Sequence, residues 1–183
     1  METIPWEVDS SKFSDSYVAG FLDGDGSIVA TVARRKEKRR FPYKIILRIN
    51  FTQHSRHKIM LVALQRYLGG IGSIREVASH NLAELVIMDR EQVKTLLLRL
   101  LPHLMIKNRQ ARLMLQAIAI FESRKVKVRS RLSEKDLRKI IKLIIKIRGL
   151  NSPTGGKRNL DFELFDPVTT QPITAGVIAQ SDS

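Results

Sequence analysis

Asp23-Gly24-Asp25-Gly26-Ser27 places two carboxylates on a glycine-rich segment inside the basic half of the chain. Carboxylate oxygens are the ligands that hard divalent cations prefer. Mg²⁺ takes only one or two of them from a protein, while water and phosphate complete its octahedron. A calcium loop of the EF-hand kind is excluded by spacing. With Asp23 as the first position, the sixth is Ile28 where glycine is required and the twelfth is Arg34 where glutamate is required. The structural alternative is a glycine-rich helix stop whose Asp side chains cap backbone groups.

A second chemical pattern begins at Lys44. Ile45, Leu47, Ile49 and Phe51 alternate with Lys44, Ile46, Arg48, Asn50 and Thr52, which predicts a strand with its first set in a core and its second facing outward. Lys and Arg can bond guanine O6 and N7, and Asn can bond adenine N6 and N7, so the outward set suits the reading of DNA. An ordinary half-buried strand with a solvated face would look the same. Two basic clusters accompany it. The run Arg34, Arg35, Lys36, Lys38, Arg39 and Arg40, broken only by Glu37, lies between two predicted strands and reads as a hairpin tip; the stretch from Arg124 to Arg131 precedes a helix.

The whole chain of 183 residues carries 32 Lys+Arg against 18 Asp+Glu, a formal charge of +14. That surplus favours a polyanionic partner through counterion release, nucleic acid first, although a basic surface suited to solubility or high temperature would give the same sum. A hydrophobic fraction of 43% is enough for a core, and no cysteine is present. Disulfides, thiolate zinc sites and cysteine nucleophiles are therefore excluded. No apolar run reaches the 18 to 20 residues needed to cross a bilayer, the N-terminus is acidic, and the basic clusters carry no exposed aromatics, so a soluble intracellular protein without a membrane role is expected.

The elements that must position these groups are legible in outline. Asp15 to Asp23 reads as a short apolar helix stopped by Gly24 and Gly26, with Ala19 and Gly20 in its middle; Gly there costs about 1 kcal/mol relative to Ala and suggests close approach of another backbone. Ser27 to Ala33 and the strand from Lys44 follow. His57 to Leu68 reads as a helix with Ile59, Val62, Ala63 and Tyr67 on its buried side. A second strand pair, Ser73 to Val77 and Leu82 to Met88, leads to a helix opened by an Asp89 and Gln92 capping box, with Val93, Leu96, Leu97, Leu100 and Leu101 inward. Asn108 to Glu122 should bury Ala111, Met114, Leu115, Ile118 and Ala119. Ser133 to Leu150 should bury Leu137, Ile140, Ile141, Ile144 and Ile145 and expose Lys135, Lys139, Lys142 and Lys146. The order predicts an α+β protein with antiparallel strand pairs.

Val18-Ala19-Gly20-Phe21-Leu22-Asp23-Gly24-Asp25-Gly26 resembles the LAGLIDADG motif of homing endonucleases, and the following Ser-Ile resembles the subfamily with one motif per chain that works as a homodimer. Phe51-Thr52-Gln53 and the segment from Pro102 through Lys107 to Ala111 resemble that subfamily too, so the likeness spans Ser14 to Arg158. The resemblance implies an αββαββα-type fold with a four-stranded antiparallel DNA-binding saddle and additional C-terminal helices. It divides the chain into an N-terminal extension (1–13), a core domain (14–150), a DNA-contacting loop (151–165) and a tail (166–183).

It also implies the chemistry. The protein would cleave a long pseudo-palindromic double-stranded DNA target across the minor groove, with Mg²⁺, with Mn²⁺ able to replace it and Ca²⁺ as a non-catalytic substitute. Asp25, Gln53 and Lys107 would be catalytic, and Asp25 with the Gly24 carbonyl would hold metal; Asp23 would cap the helix end. Val18, Ala19, Gly20, Leu22 and Asp23 would form the dimer interface. DNA contacts would come from Ser27, Val29, Thr31, Arg34, Arg35, Lys36, Lys38, Arg39, Arg40, Lys44, Ile46, Arg48, Asn50, Arg56, Arg75, Glu84, Lys157 and Arg158, with His57 as the alternative to Arg56 for a peripheral basic site. The rival expectation is a catalytically silent DNA-binding regulator, or a maturase of the same fold that binds host intron RNA.

Overall fold

The computed structural model describes residues 8–34, 43–123 and 133–151. Its elements run α1 (Asp15–Asp25), β1 (Gly26–Arg34), β2 (Tyr43–His54), α2 (Lys58–Tyr67), β3 (Ser73–Val77), β4 (Leu82–Ile87), α3 (Arg90–Leu100), α4 (Asn108–Glu122) and α5 (Glu134–Leu150). The architecture is α+β, with four antiparallel strands in the order β1-β2-β4-β3. The basic runs from Arg35 to Arg40 and from Arg124 to Arg131, together with Lys157, Arg158, most of the expected 151–165 loop and the 166–183 tail, lie outside the described residues. Among the described residues no helix is long and apolar enough to cross a membrane.

Period-two alternation places one face of the sheet against the helices. Ile28, Ala30, Leu47, Ile49, Phe51, Ala83, Leu85 and Ile87 are buried there and meet Val18, Leu22, Leu64, Leu97, Met114 and Ile144 from the five helices. Phe13 joins this core and stacks near Tyr17 and Tyr67, with ring centroids 5.5 and 5.6 Å away, so a boundary at residue 14 would cut through packed side chains.

Helix ends follow local chemistry where a cap was visible. The Asp89 carboxylate accepts from the Glu91 and Gln92 N–H groups, both at 3.0 Å, and Ser133 Oγ accepts from Asp136 N–H at 3.1 Å. Ser14 likewise caps α1. The glycines proved weaker stops than expected. Gly24 keeps helical geometry, so α1 continues through Asp25 and ends only where Gly26 turns extended.

Tertiary packing also moved three buried stripes. In α2 the core takes Leu61, Ala63 and Leu64, while Ile59 stays 38% exposed; two overlapping helical stripes were available and the sheet chose the one carrying leucines. In α4 the buried set is Gln110, Ala111, Met114, Ala117 and Ile118, with Ala119 exposed and Leu115 half-buried. In α5 Ile147 is buried and Ile145 half-buried, and the four lysines point outward as expected.

Candidate active site and nucleic-acid interface

Three elements distant in sequence converge at the C-terminal end of α1. Asp25, the last residue of the helix, is exposed, and its Oδ2 accepts from Gln53 Nε2 on β2 at 3.2 Å. The register explains the meeting: Gly26 pairs with Phe51, which brings the start of β1 alongside the end of β2. Lys107 arrives from the connection between α3 and α4, and its ammonium donates to the Asp23 backbone carbonyl. Carbonyls in the last turn of a helix lack intrahelical partners and carry the negative end of its dipole, so a cation there is favoured.

Asp23 is committed in the opposite sense. Its Oδ2 accepts from the N–H groups of Met105 (2.7 Å) and Ile106 (3.1 Å), and its Oδ1 accepts from Lys107 N–H (2.8 Å). The anion sits where α4 begins, as helix N-termini favour. Burial opposes its charge, but these N–H groups and the Lys107 ammonium outweigh burial and hold the carboxyl below its ordinary value. Burial pushes the Lys107 ammonium below the usual lysine range, against the opposing pull of Asp23 and Asp25.

Asp23 was expected to cap the end of its own helix and to face a second copy. It instead caps a loop more than eighty residues away in this chain. Three further residues expected at the dimer interface need the same correction. Val18, Ala19 and Leu22 are each 0% exposed within this chain's own core and have no surface to offer a partner. The exposed side of α1 consists of Ser16, Tyr17, Gly20 and Gly24. A Cβ built at Gly20 or Gly24 meets nothing within 4 Å.

The sheet face turned away from the helices carries the expected reading residues. The pairs Ser27 with Asn50, Val29 with Arg48, and Thr31 with Ile46 run along β1 and β2 on this side. Thr52, Glu84 and Arg75 form one transverse row across three strands. There Glu84 Oε2 accepts from Arg75 Nε at 2.7 Å, which fixes the guanidinium. Lys44 and Arg56 are exposed, while Arg56 Nε donates to His57 Nε2 at 3.2 Å, so the two candidates for the peripheral basic site lie side by side.

Asn50 departs from expectation. It occupies the outward face yet is only 4% exposed, beside the equally covered Val86, and its Oδ1 is buried without a partner among the described residues. As placed, its amide oxygen is covered. Arg48 Nε is also buried without a partner among the described residues. The signal that would have identified the Asp23 contact was absent, because Met105, Ile106 and Lys107 contribute backbone groups that any residue but proline supplies.

Among the described residues no three His, Asp or Glu side chains gather as a metal cluster. The exposed carboxylate at the end of α1 is that of Asp25, while Asp23 is engaged with the 105–107 backbone.

The model of the LAGLIDADG endonuclease family matches residues 18–111, just over half of the 183-residue chain. The chain is similar to the DNA endonuclease I-CvuI of Chlorella vulgaris, 32% identical over 110 residues, covering 60% of this chain and 65% of the relative. It is also similar to the DNA endonuclease I-CreI of Chlamydomonas reinhardtii, 30% identical over 109 residues, covering 60% and 64%. The chain thus spans slightly less than two thirds of each relative's length. A crystal structure of I-CvuI in complex with the I-CreI target in the presence of 2 mM Mg, with the DNA not cleaved, superposes with a TM-score of 0.67 at 27% identity and covers 79% of this chain and 84% of that one. The motif helix, the four-stranded sheet and the match across both place this chain in the LAGLIDADG endonuclease family.

Proposed function

We propose that this protein is a site-specific DNA endonuclease that works as a homodimer and cuts both strands of a long pseudo-palindromic duplex across its minor groove with the help of Mg²⁺. The observation that carries the reading is the convergence of Asp25, Gln53 and Lys107 at the edge of a sheet face bearing Lys44, Arg48 and Arg75.

The residues present fit a hard divalent cation. Asp25 is exposed and accepts one hydrogen bond from Gln53, and the Gly24 carbonyl lies in the last turn of α1. Such a pair supplies the one or two protein oxygens that Mg²⁺ ordinarily takes. Bound there, the cation would supply charge neutralisation and an acidified water. Gln53 orients the Asp25 carboxylate. The Lys107 ammonium, held at the helix end, adds positive charge where a scissile phosphate develops negative charge. No side chain is assigned as general base.

A single Asp25 serves one strand. A second copy laid on the exposed side of α1, where Gly20 and Gly24 leave space for a backbone, would bring a second Asp25 to the opposite strand. The sheets of both copies would then lie in the major groove and read one half-site each. Arg35 to Arg40, Lys157 and Arg158 would supply phosphate contacts that hold the register without reading sequence.

The test is incubation of the purified protein with Mg²⁺ and a library of long duplexes, followed by sequencing of the ends. Staggered cuts at one sequence support the proposal. Site-specific binding without cuts would make the protein a regulator of the same fold, and binding to intron RNA alone would make it an RNA partner.

A further inference from the structure

We propose that Asp23 is the positioning residue for Lys107: its carboxylate clamps the α3–α4 connection to the end of α1 and so fixes the lysine's stem beside Asp25. The inference rests on the reading of Lys107 as part of the cleavage site.

The geometry is reciprocal. The anion of α1 satisfies three successive N–H groups at the start of α4, and the cation from that start satisfies a carbonyl at the end of α1. Each helix end thus receives from the other the charge its dipole favours.

Upstream, Leu104 is buried in the core and anchors the connection, but beyond it, among the described residues, little else holds positions 105–107. Met105 is 89% exposed and Ile106 73%, so neither anchors it by burial. Asn108 Nδ2 donates to the carbonyls of Leu101 and Leu104 at 3.1 and 3.2 Å, which secures the base of the connection but touches neither Lys107's backbone nor its side chain. Both carboxylate oxygens of Asp23 are used. An Asn in its place would keep the shape, yet it would turn an NH₂ toward at least one of the three N–H donors and leave that donor unpaired.

Asp23 therefore differs from Asp25 in role although two residues separate them. It touches neither metal nor DNA in this scheme, and its effect on cleavage would run wholly through Lys107. A displacement of about 1 Å in such a group can cost about 100-fold in rate.

The test compares wild type, Asp23→Asn, Lys107→Ala and the double variant by single-turnover cleavage in Mg²⁺, by DNA affinity in Ca²⁺, and by backbone amide exchange in the metal-free, DNA-free protein. Asp23→Asn should slow cleavage about 10- to 100-fold with DNA affinity near that of wild type. It should also speed exchange at Met105, Ile106 and Lys107. In the double variant it should slow cleavage no further than Lys107→Ala alone, since two substitutions that break one device do not add. Asp23→Glu, which keeps the carboxylate, should restore part of the rate and cover the case in which Asp23→Asn folds poorly.

Undiminished cleavage by Asp23→Asn, or losses that multiply in the double variant, would overturn the proposal while leaving the cleavage-site reading intact. Wild-type cleavage by Lys107→Ala would remove Lys107 from the site and take this proposal with it. If wild type cuts no DNA, amide exchange decides alone, and unchanged exchange in Asp23→Asn refutes the clamp.

Discussion

The two ends of α1 use the same side chain for opposite purposes. At the N-terminal end Asp15 is fully engaged: its Oδ2 accepts from Arg99 Nε at 2.9 Å, its Oδ1 accepts from the Tyr67 hydroxyl at 2.7 Å, and the Arg99 guanidinium lies over the Tyr67 ring at 4.8 Å. Three helices are tied by that cluster, and both carboxylate oxygens of Asp15 are taken up in it. At the C-terminal end Asp23 is engaged just as completely, but Asp25 accepts a single hydrogen bond among the described residues, from Gln53, and remains exposed. An engaged carboxylate contributes to stability. A carboxylate left open at a helix end contributes repulsion with the dipole instead, a cost a fold bears where a cation is to arrive.

The largest expected effect tests that contrast directly. Asp25→Asn should abolish Mg²⁺-dependent cleavage while site-specific DNA binding persists, and it should leave the melting temperature unchanged or slightly raised. Retained nicking by the purified variant would remove Asp25 from the metal site. A marked fall in melting temperature would mean that the open end is structural after all.

Next comes the packing that lets the motif turn into a strand. A Cβ on Gly26 would lie 2.7 Å from Leu22 Cα and 2.8 Å from its carbonyl oxygen, both backbone atoms that cannot step aside. Gly26→Ala should therefore cost about 1–3 kcal/mol, as overpacking typically does. Gly20→Ala meets nothing in this chain and should instead gain up to about 1 kcal/mol of helix propensity while weakening self-association. Denaturant unfolding and sedimentation measured on the same pair separate the two glycines. If Gly20→Ala associates as wild type does in sedimentation, the exposed side of α1 is not a dimer surface.

Which of these distinctions the sequence revealed depends on distance along the chain. Strand β2, the Asp89 and Ser133 caps and the full span of α4 rest on local patterns, and local patterns were readable. The acidic knot was readable as chemistry, whereas the hydrogen bond from Gln53 to Asp25 joins residues 28 positions apart and was not. The division of labour between Asp23 and Asp25 was not, because it is decided by backbone N–H groups at 105–107 that leave no mark in residue identity. The burial of Val18, Ala19 and Leu22 was hidden for a related reason. An eleven-residue helix of mostly small and apolar residues shows little polarity between its sides, so only the sheet decides which side is core. The burial of Asn50 was not readable because parity places a side chain on a face but says nothing of what its neighbours cover.

A second ion pair sharpens the comparison. Arg75 and Glu84 make the same kind of contact as Arg99 and Asp15, 2.5 and 2.6 Å at their closest, but on the sheet face proposed to read DNA. Arg75→Ala should cost about 1–3 kcal/mol of discrimination at one base pair, the worth of a good bidentate contact, and almost nothing in stability. A binding-site selection and a thermal melt on that variant distinguish the uses. Wild-type specificity with a lowered melting temperature would make the pair a structural strut like its counterpart at Asp15.

The smallest effect concerns that counterpart and carries a sign in pH. The Arg99 hydrogen bond holds the Asp15 carboxyl below its ordinary value against the opposing effect of burial, with the Tyr67 hydroxyl adding to the lowering. A carboxyl whose folded pKa is depressed contributes stability that is complete above its unfolded value, about 3.9, and is lost as pH falls through the folded value. Because the pair is partly exposed, at 38% and 30% of the two side chains, screening keeps the contribution to about 1 kcal/mol or less. Asp15→Asn should accordingly be less stable than wild type by that amount at pH 7, and the difference should close progressively below about pH 4. Asp25 has no comparable ion pair to lose among the described residues, so Asp25→Asn should show no such loss of stability at pH 7. Chemical unfolding of both variants at pH 7 and pH 3 checks the pair. A gap for Asp15→Asn that persists at pH 3 would mean that packing against Tyr67, rather than charge, is what fastens the closed end of the helix.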